Sequence, residues 1–462
     1  MLSFGCLCIL LGSGYWLRRK LLFLQRLYLP VSVISGLLGL IILQTVGHLD
    51  LSIMDWKVSI PPAATAGWGR LPGLLINIVF ACLFLGRTLP PITRVWKSSS
   101  RQLAYGQIVA WGQYAVGCML VLLLIKPLFG LPDLFAGIMP VGFEGGHGTA
   151  GGMGPTFDRL GFPEMKDFAL ASATGGIIGA IIVGMGLVNW AVRKGYVEKK
   201  AAPGVEIEDL GGIIPAGQRP HAGKLTVSSD VIESLTLHLV FVGAAILLGW
   251  LMKQGVMLFV EPPADGDPEH ASTLYSILSS FPLFPLCMLG GVAIQWLADR
   301  FDPHEHMDEG LMLRIQNCAL DFLVVAAIAT IRLDVVAKGW LPLVILIAAG
   351  IGWNVLCLTV FARRAFRDAW FERGIAELGQ SMGVTATGLL LLRVVDPEYE
   401  TEAAEAFAAK QLLHEPFMGG GLWTGAAIPL LALWGGWPIL GIALGAMTVW
   451  TAFLIVMNRR NA

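Results

Sequence analysis

The feature that most constrains this chain is a recurrence of apolar blocks, about 18 to 28 residues long, set between short polar connectors. A helix needs roughly 20 apolar residues to cross a bilayer, so blocks of this length read as membrane spans. Eleven fall near residues 2–17, 27–47, 68–87, 104–126, 167–192, 231–252, 273–298, 311–331, 340–362, 405–432 and 437–456. Only 14% of the residues are charged, against roughly 25% in a typical soluble domain, which argues against a soluble enzyme. A net charge of −1 argues against nucleic acid as a partner. The expected fold class is an all-α integral membrane protein in contact with lipid. Its 56 glycines and 25 prolines predict that much of the backbone is bent or broken.

Orientation follows from the basic residues, because cytoplasmic connectors carry the excess of Lys and Arg. With the N-terminus outside, 24 of the 32 basic residues fall on the inner side, including Arg18, Arg19, Lys20, Arg363, Arg364 and Lys410. The C-terminus is then cytoplasmic. The first apolar run precedes its positive charges, the reverse of a secretory signal, and is expected to stay as the first span. The seven cysteines lie in apolar blocks without metal-binding spacing and read as small core residues.

Two glycine-rich stretches, 134–160 and 374–392, are too broken to cross as one helix and too apolar for solvated loops. Irregular backbone at membrane depth persists only where protein or a water-filled cavity satisfies its polar groups, so both read as re-entrant hairpins. The halves of the chain also align. Leu29-Pro30 followed by Gly39 recurs as Phe281-Pro282 followed by Gly291, and Leu74–Leu89 is echoed by Leu320–Leu333. Gly148 and Thr149 in the first hairpin correspond to Gly383, Thr385 and Thr387 in the second. Span one runs inward and its counterpart outward, so the repeat is inverted, a pattern that points to a secondary transporter with a site near the midplane. Chance similarity between glycine-rich apolar segments is the alternative. The expected organisation is a first five-helix repeat over 1–192, a polar cytoplasmic linker over 193–230, a second repeat over 231–432 and an appended C-terminal helix over 433–462.

The segment Glu144–Gly179, with Gly145-Gly146-His147-Gly148-Thr149 and then Ala171, Ala173, Thr174 and Gly176, resembles the first signature of the bacterial sodium/glutamate symporter family. Leu29–Gly39 is similar to that family's second span, and the resemblance covers about residues 1–430. The second hairpin departs from it: the family's Gly-Ala-Thr-Pro-Thr-Ala tip appears here as Gly383, Val384, Thr385, Ala386, Thr387 and Gly388, without the proline. The resemblance implies sodium as the coupling ion, glutamate or a similar small carboxylate as cargo, no other cofactor, a homodimer and the bacterial inner membrane. It also implies a transport unit built from the hairpin-bearing spans.

A carboxylate and its sodium ions must shed water to enter the membrane, so a site has to replace hydration with fixed dipoles. Gly145, Gly146 and Gly148 allow close backbone approach, broken helix ends offer N–H groups to an anion, and Thr149, Thr385 and Thr387 offer hydroxyl oxygens to sodium. The competing reading is that these small residues serve tight helix packing. Ionisable residues in apolar segments are functional candidates by default. Here they are Asp321, Glu415 beside Pro416 and a triple glycine, and Glu144, where the family more usually has a small residue. Arg393 is a candidate partner for a substrate carboxylate, or it snorkels to the inner interface. His147 reads as a hydrogen-bonding orienter, and the His304, Glu305, His306, Asp308 cluster as a solvated turn. Proton coupling through Glu144, Asp321 or Glu415, or a different organic anion, would keep the fold. An intramembrane enzyme or a channel are readings from other classes, and neither a Gly-x-Gly-Asp nor a Gly-x-Ser-Gly string occurs.

Overall fold

The computed structural model describes residues 1–26, 29–48, 52–53, 56–57, 61–87, 92–197, 214, 216–263, 272–396 and 400–460. The middle of the expected linker, residues 198–213, lies outside the described residues. The main helices in the first half are α1 (Leu2–Lys20), α2 (Val31–His48), α3 (Leu71–Ala81), α4 (Ile92–Leu120), α5 (Ile138–Phe143), α6 (Gly146–Gly152), α7 (Gly154–Arg159) and α8 (Met165–Arg193). Then come α9 (Ser234–Met257), α10 (Thr273–Ser280), α11 (Phe284–Phe301), α12 (Glu309–Ala329) and α13 (Trp340–Leu356). The last are α14 (Trp370–Met382), α15 (Thr385–Val395), α16 (Ala403–His414), α17 (Leu422–Trp434) and α18 (Gly436–Arg460). Extended pairing among the described residues is limited to Ser52–Ile53 against Trp56–Lys57.

By length and composition six of these helices can cross a membrane, α4, α8, α9, α12, α13 and α18, or seven if α10 and α11 form one bent span. The block expected to span 273–298 is interrupted at Phe281–Leu283, where Pro282 has no N–H to continue the helical ladder. The block at 405–432 is interrupted between His414 and Leu422, at the Glu415-Pro416 and triple-glycine stretch that the sequence marks. Four cysteines are buried, but Cys8 and Cys318 are exposed on their helices, which corrects their reading as core residues. An apolar block predicts only that a helix is apolar all round. It does not say which face meets protein.

The chain forms two compact units, each drawing on both halves of the sequence. The first comprises residues 1–89, 205–253 and 283–332. In it α12 packs along α2 and α3, and α11 packs along α3. Glycines set the close approaches: a methyl group on Gly39 of α2 would sit 2.9 Å from the Ala329 Cβ of α12, while Gly291 of α11 lies against the Ala81 carbonyl of α3. Gly39 and Gly291 are the positions that align between the halves, and each is packed on a helix of the opposite half.

The second unit comprises residues 90–204, 254–282 and 333–462. Within it α18 lies along α4, as does α16. The N-terminus of α18 is pinned by the Asp133 carboxylate, which accepts the Gly436 N–H at 2.9 Å and pairs with Lys126 at 2.6 Å. The helices α14 and α15 fold back on each other, Gly388 lying against the Ala376 carbonyl and Gly379 against the Gly388 backbone. They form the second hairpin, with its tip at Gly383 and Val384.

Candidate functional site

The post of the second unit is α8, whose small residues hold both interrupted segments. Near its start, Gly142 of α5 lies against the Ala169 carbonyl and the Ala173 backbone nitrogen, where a side chain would not fit. One turn on, Thr174 donates to the Leu170 carbonyl (3.0 Å) and accepts from His147 Nε2 (2.9 Å), which fixes that ring's tautomer. Gly176 lies against the Met382 carbonyl at the end of α14, where no side chain would fit. The Ala171–Gly176 signature therefore has a local physical meaning. It is the seam along which the two segments share one support.

The breaks in those segments meet. After α5 the chain passes Glu144 and Gly145 to Gly146, whose φ of +63° is open to glycine at little cost. A methyl group on Gly146 would lie 3.1 Å from Val384 Cγ1 and 3.5 Å from the Gly383 carbonyl oxygen. Two points separated by more than 230 residues in sequence thus come into van der Waals contact at the end of α14 and the start of α15.

Around this junction lies a buried polar network. Trp111 Nε1 can only donate, and it donates to Gln107 Oε1 at 3.0 Å, so the Gln107 amide nitrogen faces His414 Nδ1 at 3.3 Å. His414 then carries its proton on Nε2 and donates to Glu144 Oε2 at 3.3 Å. The same oxygen accepts from Gln380 Nε2 at 3.0 Å, while Gln380 Oε1 accepts from Lys410 Nζ at 3.1 Å. The opposite amide orientation would set NH₂ against an ammonium and a carbonyl against a carboxylate, so the charges select this one. Lys410 also pairs with Glu377 Oε1 at 2.7 Å, and both side chains are fully buried. On the other side of the tip, Thr385 accepts from Gln411 Nε2 and donates to Glu415 Oε1, both at 2.7 Å. Two acceptors are left over: Glu144 Oε1 and Gln411 Oε1 are buried without a hydrogen-bond partner among the described residues.

Of the candidates from the sequence, Glu144, Gly145, Gly146, Gly383, Thr385 and Glu415 therefore gather at one place. Gly148 and Thr149 are buried in α6, and Thr387 packs beneath Gly383. His147 faces α8, as an orienter should. Arg393 lies elsewhere: it is exposed in the last turn of α15, eight residues from Thr385 and so about 12 Å along the helix. Asp321 belongs to the other unit, exposed on α12 with Ser32 as its hydrogen-bond partner. Lys410, counted above with the cytoplasmic basic residues, is instead fully buried. The sequence reading passed over Gln107, Glu377, Gln380, Lys410, Gln411 and His414. A signal for three of them was present, since Lys410, Gln411 and His414 put polar groups within one turn of a helix that is otherwise mostly apolar. Among the described residues no three His, Cys, Asp or Glu side chains converge as ligands of a resident metal.

A protein whose described residues are predominantly helical, with several apolar spans and a buried polar centre assembled from two interrupted segments, falls in the class of multi-pass membrane proteins. The sodium/glutamate symporter family profile matches residues 1–262, more than half of the chain, and the chain belongs to that family. Membership makes it a membrane transporter, a symporter for which sodium and glutamate are the implied cargo. The match includes Glu144–Thr149 and α8, while α14 to α17 lie beyond it. No curated protein and no solved structure matched the chain.

Proposed function

We propose that this protein carries out sodium-coupled symport of glutamate, or a related small carboxylate, by alternating access, with the junction of the two breaks as its binding site. The observation that carries the reading is the contact between Gly146 and Gly383-Val384, ringed by Glu144, Gln380, Thr385 and Glu415. Gly146 brings bare backbone to the junction, and α15 begins there with the positive end of its dipole, which suits a substrate carboxylate. Glu144 Oε1, Gln411 Oε1 and the Thr385 hydroxyl are hard oxygen donors within the same network, the type that replaces the hydration of sodium. The second unit acts as the transport unit, and the first as scaffold and dimer contact.

Eleven spans in two inverted five-helix repeats with an added C-terminal helix, an outside N-terminus and a bacterial inner-membrane location belong to this proposal. The reciprocal packing of Gly39 on α12 and Gly291 on α3 supports the repeat, because a two-fold relation exchanges partners in that way. A second reading, coupling to protons, is favoured by the His414–Glu144 hydrogen bond.

The test is uptake of radiolabelled L-glutamate into proteoliposomes under an inward sodium gradient, an equal potassium gradient, or a proton gradient alone. Accumulation with sodium only is the expected result. Accumulation driven by protons without sodium selects the second reading, and uptake that is equal under all three removes coupling.

A further inference from the structure

The Lys410–Glu377 pair has no part in the site just described, yet it is bonded to it. A fully buried ion pair is costly relative to apolar residues of the same shape, so its placement calls for a reason. The ammonium lies between a carboxylate oxygen and the Gln380 amide oxygen, both from the first limb of the second hairpin, within two turns of its tip. The second oxygen of Glu377 accepts from Gln102 Nε2 at 2.9 Å, so the carboxylate is held from both sides. Space for the pair is cut into α4 at Gly106, where a methyl group would lie 2.5 Å from Glu377 Oε1 and 2.6 Å from Lys410 Cε. A carboxylate and an amide carbonyl on a broken hairpin, walled off from water, are the donors that a dehydrated monovalent cation selects. Here the chain's own cation is already among them.

We propose that Lys410 is a tethered cation: its ammonium fills an oxygen-lined monovalent-cation position formed by Glu377 and Gln380, and the protein binds one sodium ion fewer than this polar centre has room for. The charge count supports it. With His414 neutral, the part of the network bonded to Lys410 and Gln380 holds two carboxylates, Glu377 and Glu144, and one ammonium, so loss of the ammonium leaves two uncompensated buried anions on either side of Gln380. Lys410 is also a positioning residue. Its charge turns the Gln380 carbonyl inward, which points the Gln380 NH₂ group at Glu144.

The experiment measures thermal unfolding of the purified full-length protein by tryptophan fluorescence, in sodium chloride against choline chloride at equal ionic strength. Wild type, Lys410→Met and the double variant Glu377→Gln/Lys410→Met are compared. Lys410→Met is expected to gain a sodium-dependent rise in Tm beyond that of wild type, by about 3 °C or more at saturating sodium. The double variant, which lacks the carboxylate, is expected to lose that extra rise. Recovery of folded Lys410→Met from sodium buffers but not from choline would be the same result in stronger form. Should methionine not be tolerated in either salt, Lys410→Gln carries the same expectation. A substituted protein that responds to sodium no more than wild type overturns the proposal, as does an extra rise that persists in the double variant. No transport is measured, so this outcome is independent of whether glutamate is the cargo.

Discussion

Substitution of Gly146 by alanine tests the junction quantitatively, because two separate costs are superimposed there. The first is conformational: at φ +63° an L-residue brings its Cβ too close to the following carbonyl, at about 1–2 kcal/mol. The second is contact: the new methyl would lie 3.1 Å from Val384 Cγ1, where carbon atoms prefer roughly 3.5–4.0 Å. Relief requires Val384 to leave its rotamer or the two breaks to part by a few tenths of an ångström, at about 0.5–1 kcal/mol. The total is about 1.5–3 kcal/mol, of which Val384→Ala, by deleting Cγ1, should restore only the second part. Gly67→Ala is the control, because Gly67 has φ +85° with nothing within 4 Å of an added methyl group, so it reports the conformational cost alone. Thermal unfolding of Gly146→Ala, Val384→Ala, the double variant and Gly67→Ala gives the coupling between positions 146 and 384. No coupling would mean that the two breaks do not touch, and a Gly146→Ala protein as stable as wild type would refute the left-handed backbone.

Other substitutions separate the parts of the account. Gly379→Ala puts a methyl 2.7 Å from Gly388 Cα and 2.8 Å from the Thr387 carbonyl, backbone that no rotamer change can move; it should cost about 1–3 kcal/mol and abolish uptake by spreading the hairpin limbs. Asp133→Asn removes an ion pair with Lys126 and weakens the cap on α18, so Tm should fall slightly, by the equivalent of about 0.5–1.5 kcal/mol, with uptake retained. Thr385→Val strips Gln411 and Glu415 of a shared partner, and the sodium concentration giving half-maximal uptake should rise by at least about tenfold; an unchanged value would remove Thr385 from the site.

The legible part of this fold was its punctuation. Apolar length predicted the long helices, and proline with glycine clusters predicted where the backbone breaks, because both act locally. The break after His414 and the glycine-rich stretches at 145–146 and 383 follow directly from residue type. What was not legible is pairing at a distance. Lys410 counts as one more positive charge in a sequence, and only its burial against Glu377 and Gln380 reveals a different role. Arg393 illustrates the converse, a charge adjacent in sequence to the candidate site and carried to the far end of α15 by helical rise. The glycines of α8 lie between these cases. Their motif is recognisable by resemblance, yet the work of Gly176, seating Phe143 and the Met382 carbonyl, emerges only from packing.

The claim on which the account turns is that substrate and sodium meet where the breaks meet. Equilibrium binding of radiolabelled L-glutamate to the purified protein, in sodium chloride and in choline chloride, tests it most directly in wild type, Glu144→Gln and Gly146→Ala. The account predicts sodium-dependent binding in wild type, at least tenfold weaker sodium dependence in Glu144→Gln, and weakened binding in Gly146→Ala. Sodium-dependent glutamate binding that survives both substitutions unchanged would place the site elsewhere and contradict it.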